Sequence, residues 1–153
     1  MSTETRAGFA AIIGAPNAGK STLVNRLVGS KVSIVTHKVQ TTRFPVRGVM
    51  MSGQSQIVLV DTPGIFAPKR RLDRAMVQSA WEGATDADAI VHLIDARHWT
   101  GAATKPEGPD AYEGPEEDEA IIDRMRQLGT KAILALNKID LVERKALLAA
   151  AKT

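Results

Sequence analysis

Gly14, Gly19, Lys20 and Ser21 stand at the spacing G-x-x-x-x-G-K-[ST], the pattern of a loop that wraps a phosphate chain in main-chain amides. Ala15, Pro16, Asn17 and Ala18 form its body and Thr22 follows on the helical side. Such a loop gathers N–H donors onto phosphate oxygens, and the helix that leaves it adds partial positive charge. The Lys20 ammonium reaches the terminal phosphates, and the Ser21 hydroxyl ligates Mg2+. Asp61 closes an apolar run and is followed by Thr62, Pro63, Gly64 and Ile65. Its carboxylate holds Mg2+ through water, and Gly64 brings an N–H to the γ-phosphate with no Cβ in the way. Asn137-Lys138-Ile139-Asp140 follows another apolar run. Asp140 accepts hydrogen bonds from guanine N1–H and the 2-amino group, neither of which adenine offers. At about 1.5–3 kcal/mol each these bonds select guanine by at least ~10²-fold. The Lys138 stem covers the base, and Asn137 ties this loop to the phosphate loop.

Each piece has a plainer reading: a glycine turn before a helix, an Asp-to-Gly turn, a polar strand-to-helix connection. Context favours chemistry. Phe9-Ala10-Ala11-Ile12-Ile13 leads into the first loop as a buried strand, and Leu23, Val24, Leu27 and Val28 leave it at helical spacing. A fourth piece lies before residue 44, where Thr42, with Thr41 as the alternative, closes onto Mg2+ and the γ-phosphate and releases after hydrolysis. Lys20, Thr42 and Gly64 are thus the candidates to act on the transferred phosphoryl group. Ser21, Thr42 and Asp61 are the candidates to hold Mg2+.

The elements that must position these groups are legible in outline. Gly29 to Thr42 reads as an exposed loop, Phe44 to Met51 as a strand, and Ser52-Gly53 as a hairpin turn. Gln56 to Asp61 is a buried strand, and Leu72, Met76, Val77, Ala80 and Ala84 mark a helix face. Another strand lies within 87–95, with Ala89 to Ile94 its apolar run. Residues 100–118 mix Gly, Pro and acids and read as a flexible surface insert. Ile121, Ile122, Met125 and Leu128 form the next helix, stopped at Gly129. Ala132 to Leu136 is a buried strand, and a final helix starts at Val142. Apolar strands alternating with helices predict an α/β fold, a largely parallel sheet with helices on both faces. Ligands in such sheets bind at the carboxyl ends of the strands, where all these loops fall.

At 153 residues and 44% hydrophobic the chain suits one domain with a genuine core. It has no cysteine, which excludes a disulfide framework and thiolate metal sites. No apolar run approaches the ~20 residues of a membrane span, and Met1 to Gly8 has no signal-peptide core. On these features a cytoplasmic location is expected. The net charge of +3 is unevenly spread: residues 1–50 carry seven Lys/Arg against Glu4 alone, and 107–119 carry seven acids. The basic third is either a surface for a polyanion such as RNA or a solvated face around a nucleotide site.

Gly14–Ser21, Gln40-Thr41-Thr42-Arg43, Asp61–Gly64 and Asn137–Asp140 resemble the guanine-nucleotide boxes of translation-factor-type GTPases. The run Lys31 to Arg43, and Trp99 after Asp95-Ala96-Arg97-His98, resemble the Era subfamily within them. The resemblance implies a three-layer, Ras-like P-loop domain that binds and hydrolyses GTP as a switch, with GTP/GDP and Mg2+ as cofactors. It implies a following KH RNA-binding domain, small-subunit ribosomal RNA and the pre-ribosomal particle as partners of the full-length protein, and peripheral membrane association. It suggests a potassium ion near Asn17 in place of an arginine finger. Against that pattern, residues 1–153 are expected to be a GTPase domain lacking its last strand, its last helix and the Ser-Ala-type box, since 13 residues follow Asp140. The KH domain is expected to lie outside residues 1–153. The strand at 132–136 is then expected to leave a bare apolar edge and a marginally stable fold. The alternative function is a truncated nucleotide or RNA interaction module without turnover.

Ile65 stands where Ras-type enzymes carry the water-orienting glutamine, so water must be held by backbone, another loop or a partner. Intrinsic hydrolysis is expected to be slow, with no arginine clearly placed as a finger, although Arg43 borders Thr42. Asp95 ends a strand with no partner to name, and His92 reads as a core histidine. Trp81 and Trp99 read as packing residues as readily as binding ones. Lys69-Arg70-Arg71 is a solvated run or an RNA contact.

Overall fold

Runs of β-branched and aliphatic residues bounded by Gly, Pro and Asp give five strands, and stripes of apolar residues at helical spacing give the helices between them. A computed structural model describes residues 4–35, 42, 44–101 and 115–152. The element order is β1 (Arg6–Ile13), α1 (Lys20–Val28), β2 (Val46–Ser52), β3 (Ser55–Asp61), α2 (Arg71–Thr85), β4 (Ala89–Asp95), α3 (Ala96–Trp99), α4 (Pro115–Leu128), β5 (Ile133–Asn137) and α5 (Arg144–Ala150). A one-turn 3-10 helix, Ile139–Leu141, precedes α5. The strands lie in the order β2-β3-β1-β4-β5. All neighbours are parallel except β2 and β3, a hairpin closed where Ser52 faces Ser55.

The pleat sends alternate residues to opposite faces. Ala11 and Ile13 of β1 pack with Ala80, Ala84, Ile121 and Met125 of α2 and α4. Ile12 packs on the other side with Val24 of α1 and Leu59 and Leu93 of the sheet. Two cores flank one sheet, as expected of strands that are apolar throughout. Among the described residues β5 is the outermost strand at its side, with Ile133 62% and Leu134 49% exposed.

The stretch foreseen as a flexible insert, about 100–118, overlaps a helix at its C-terminal end. Residues 102–114 lie outside the described residues, but Pro115 to Asp118 form the first turn of α4. Proline suits a first helical position, and Glu116, Glu117 and Asp118 face the positive end of the helix dipole. Asp118 is fully buried and meets His92 Nε2 at 3.0 Å. His92 is therefore a core histidine, and its partner lies in the stretch assigned to the insert.

Candidate functional site

β1, β3, β4 and β5 all end at one edge of the sheet, and the loops that leave them meet there. The phosphate loop takes positive φ at three positions, Gly14 (φ 154), Asn17 (φ 60) and Gly19 (φ 102). A Cβ on Gly19 would run into the Asn137 side-chain amide, so the position needs glycine for space as well as for backbone shape. α1 starts with no side-chain cap and no acidic residue in its first turn. Its first-turn N–H groups thus remain donors for an anion. Lys20 is 6% exposed and donates to Gly14 O at 3.1 Å and Ala15 O at 2.8 Å. Burial pushes its pKa down to about 8, against the pull of Asp61 and Asp118. Thr22, two positions further along the helix, is exposed.

Ser21 and Asp61 come together from α1 and β3. The Ser21 hydroxyl donates to Asp61 Oδ2 at 2.6 Å, and Thr42 Oγ1 lies 3.2 Å from Ser21 Oγ. The three groups named from the sequence as Mg2+ candidates thus form one cluster. Asp61 is fully buried, which raises its pKa against the Ser21 hydrogen bond and the Lys20 charge. Its Oδ1 has no hydrogen-bond partner among the described residues. One carboxylate with an unspent oxygen and two hydroxyls make a hard donor set that fits Mg2+. No group of three or more His, Asp or Glu among the described residues offers a competing metal site. Thr41 and Arg43 lie outside the described residues.

The loop after Asp61 is locked to the phosphate loop. Thr62 Oγ1 donates to Ile12 O at 2.8 Å, and Pro63 is buried. Gly64 lies so close to Pro16 that an added Cβ would meet its N, Cα and Cγ at 3.0 Å. Ile65 N donates to Gly14 O at 3.0 Å, and its side chain joins the core beside Ala80 and Ile121. The Ile65 side chain is therefore packing, as an apolar residue at that position must be. Lys69, Arg70 and Arg71 are exposed, and Asp73 caps the helix there by accepting from Lys69 N and Arg70 N at 3.1 and 2.9 Å.

Asn137 Nδ2 donates to Ala18 O at 2.9 Å, the tie between loops expected from the sequence. Lys138 takes a left-handed conformation (φ 57), and its ammonium donates to Asn17 O at 2.7 Å and Asp95 Oδ2 at 2.8 Å. Asp140 sits exposed on the 3-10 turn, where a base can reach it. Asp95 corrects the sequence reading, which gave it no partner. It is 1% exposed and takes Arg97 Nε at 3.1 Å and Nη2 at 2.7 Å in addition to Lys138. Burial alone would raise its pKa, but the Arg97 and Lys138 hydrogen bonds outweigh it and hold the carboxyl down at about 2.

Asn25 is a residue that sequence reasoning missed. Its Oδ1 accepts from Val32 N at 2.9 Å and Ser33 N at 2.8 Å, and its Nδ2 donates to Ser33 O at 2.8 Å. It pins the start of the segment that leads to Thr42. Asn25 lies beside the Leu23, Val24, Leu27 and Val28 stripe as an ordinary polar helix residue, so the sequence carries no signal for its role. Trp81 packs at the rim of the α2 and α4 core.

A family model described as "50S ribosome-binding GTPase" matches residues 9–138. The GTPase Era of Caulobacter vibrioides is 61% identical over 150 residues, 98% of this chain and 48% of that one. The GTPase Era of Maricaulis maris is 58% identical over 151 residues, 96% of this chain and 47% of that one. The chain thus spans about half the length of the curated relatives it matches. Among solved structures, an Aquifex aeolicus Era variant bound to GDP·AlF4− aligns with a TM-score of 0.79 at 36% identity, covering 97% of this chain and 46% of that one. Era in complex with MgGDPNP and nucleotides 1506–1542 of 16S ribosomal RNA aligns with the same TM-score, identity and coverage. No described helix is long and apolar enough to cross a membrane.

Proposed function

The chain belongs to the 50S ribosome-binding GTPase family and is Era-type in sequence, and on that premise we propose that it binds GTP and hydrolyses it to GDP as a conformational switch. The observation that carries this reading is the meeting, at one sheet edge, of the phosphate loop, the Ser21–Asp61–Thr42 cluster and the Asn137–Asp140 loop. Main-chain amides of the phosphate loop, Pro16 excepted, take the phosphates. Lys20 leaves Gly14 O and Ala15 O to neutralise the terminal phosphate oxygens. Gly14 O keeps a donor when it goes, Ile65 N at 3.0 Å, so the swing does not leave that carbonyl bare. Ser21, Asp61 and Thr42 are the residues that would hold Mg2+, which supplies charge neutralisation between phosphates. Gly64 offers its N–H beside the γ-phosphate. Water is positioned without the Ile65 side chain, which lies in the core.

Asp140 reads guanine. Wild-type protein is expected to prefer GDP over XDP, and Asp140→Asn to lose that preference, since an amide cannot accept both guanine hydrogen bonds. Undiminished GDP preference in the variant would sink the assignment. A potassium ion beside Asn17 is the finer part of the reading, supported by the exposed, left-handed Asn17 at the loop's tip. Equal GTP turnover in potassium and sodium buffers would remove it. A complex of Era with 16S ribosomal RNA supports small-subunit ribosomal RNA and the pre-ribosomal particle as partners of the whole protein. Peripheral membrane association and a cytoplasmic location belong to the same proposal. Co-sedimentation with small subunits and with anionic vesicles tests the two partners separately.

A further inference from the structure

Asp95 closes β4 opposite Asn137 of β5 in the parallel register. From there its carboxylate reaches sideways to the next residue of the neighbouring loop. Three groups converge on it: Arg97 N at 3.0 Å, the Arg97 guanidinium at 3.1 and 2.7 Å, and the Lys138 ammonium at 2.8 Å. The carboxylate is 1% exposed, while the Arg97 and Lys138 side chains that meet it are part-buried. The Lys138 ammonium spans from Asp95 to the carbonyl of Asn17, 2.7 Å away, and so bridges β4, the guanine-reading loop and the phosphate loop. Lys138 and Asn17 are the two non-glycine residues with positive φ among the described residues. Such backbone persists when its surroundings hold it, and this ammonium links the two residues.

We propose that Asp95 is a positioning residue for guanine recognition: by anchoring the Lys138 ammonium, it fixes the Asn137–Asp140 loop against the phosphate loop and presents Asp140 to the base. Arg97 braces the carboxylate in the orientation that Lys138 uses. The proposal rests on the reading that Asp140 takes guanine. A mere staple between β4 and β5 would support stability alike in every background, whereas a residue acting through Lys138 has no effect on binding once Lys138 is gone.

A double-mutant cycle on the full chain separates the two. Fluorescent GDP is titrated against wild type, Asp95→Asn, Lys138→Ala and the double variant, with release rates measured alongside. Asp95→Asn is expected to weaken GDP about tenfold, mainly through faster release. The double variant is expected to bind no more weakly than Lys138→Ala. Unchanged affinity in Asp95→Asn, or losses that add in the double variant, overturn the proposal. Should Asp95→Asn fail to fold, the half-buried Arg97→Ala repeats the cycle. Its expected loss of about threefold must vanish in the Lys138→Ala background, and a loss that persists there overturns the proposal. Asp140→Asn, titrated with GDP and XDP, is the separate control: if it keeps the guanine preference, the underlying reading fails whatever the cycle returns.

Discussion

Replacing Lys20 by methionine should stabilise the nucleotide-free protein while abolishing its response to nucleotide. The Lys20 ammonium is 6% exposed, and burial drops its pKa from 10.5 to about 8. That drop corresponds to ~3 kcal/mol at neutral pH, set against folding. Below pH 8 the lysine is charged in both folded and unfolded chains, and the full penalty applies. Between pH 8 and 10.5 the folded chain sheds the proton first, so stability rises with pH, and above 10.5 the penalty is gone. Methionine fills much the same space without the charge. Gly14 O keeps another donor, while Asp61 loses a nearby cation and offsets part of the gain. The net expectation is ~1–2 kcal/mol, at about 2–4 °C in Tm for each kcal/mol in a chain of this size. Thermal unfolding with and without Mg·GDP, at pH 7 and pH 10, reads all three effects. The variant should melt above wild type at pH 7, with the gap narrowing at pH 10. GDP at about a hundredfold excess over Kd should lift wild type by ~2.7 kcal/mol and leave the variant unmoved. A variant that melts below wild type at pH 7, or that GDP lifts equally, would refute the reasoning.

Three other perturbations follow from distances in the site and core. Gly64→Ala has no room beside Pro16, whose atoms stand 3.0 Å from the new Cβ; phosphate release should fall by ~10² or more while GDP affinity stays within about threefold, measured by turnover and equilibrium titration. Gly48→Ala brings a Cβ to 2.6 Å from Val28 Cγ2 and 3.2 Å from Val32 Cγ2. A urea titration should show a loss of ~1–3 kcal/mol with nucleotide affinity unaltered. Burial raises the Asp61 carboxyl above its ordinary range, so protons compete with Mg2+ there. The Mg2+ concentration needed to slow GDP release should rise as pH falls, and Asp61→Asn should erase that pH dependence.

Much of the site was legible because its signals are local. Gly14 to Ser21, Asp61 to Gly64 and Asn137 to Asp140 each lie within a few residues, and the hydrophobic runs before them mark strand ends. The start of α4 was locally marked too, by proline and acids in its first turn. There the bias of the surrounding segment toward Gly, Pro and acids outweighed the capping signal, and Asp118 was assigned to a surface insert.

The amino-acid order alone determined which residues could meet a phosphate chain, a divalent cation and a guanine, because spacing within a turn fixes those geometries. Tertiary structure decided what holds these residues in place. Asp95 meets Lys138 43 positions away, Lys138 meets Asn17 across 121, and His92 meets Asp118 across 26. A buried carboxylate and its cation carry no periodic mark in the sequence. Strand order and register alone set Asp95 opposite Asn137, and that pairing turns a solitary acid at the end of β4 into the anchor of the neighbouring loop.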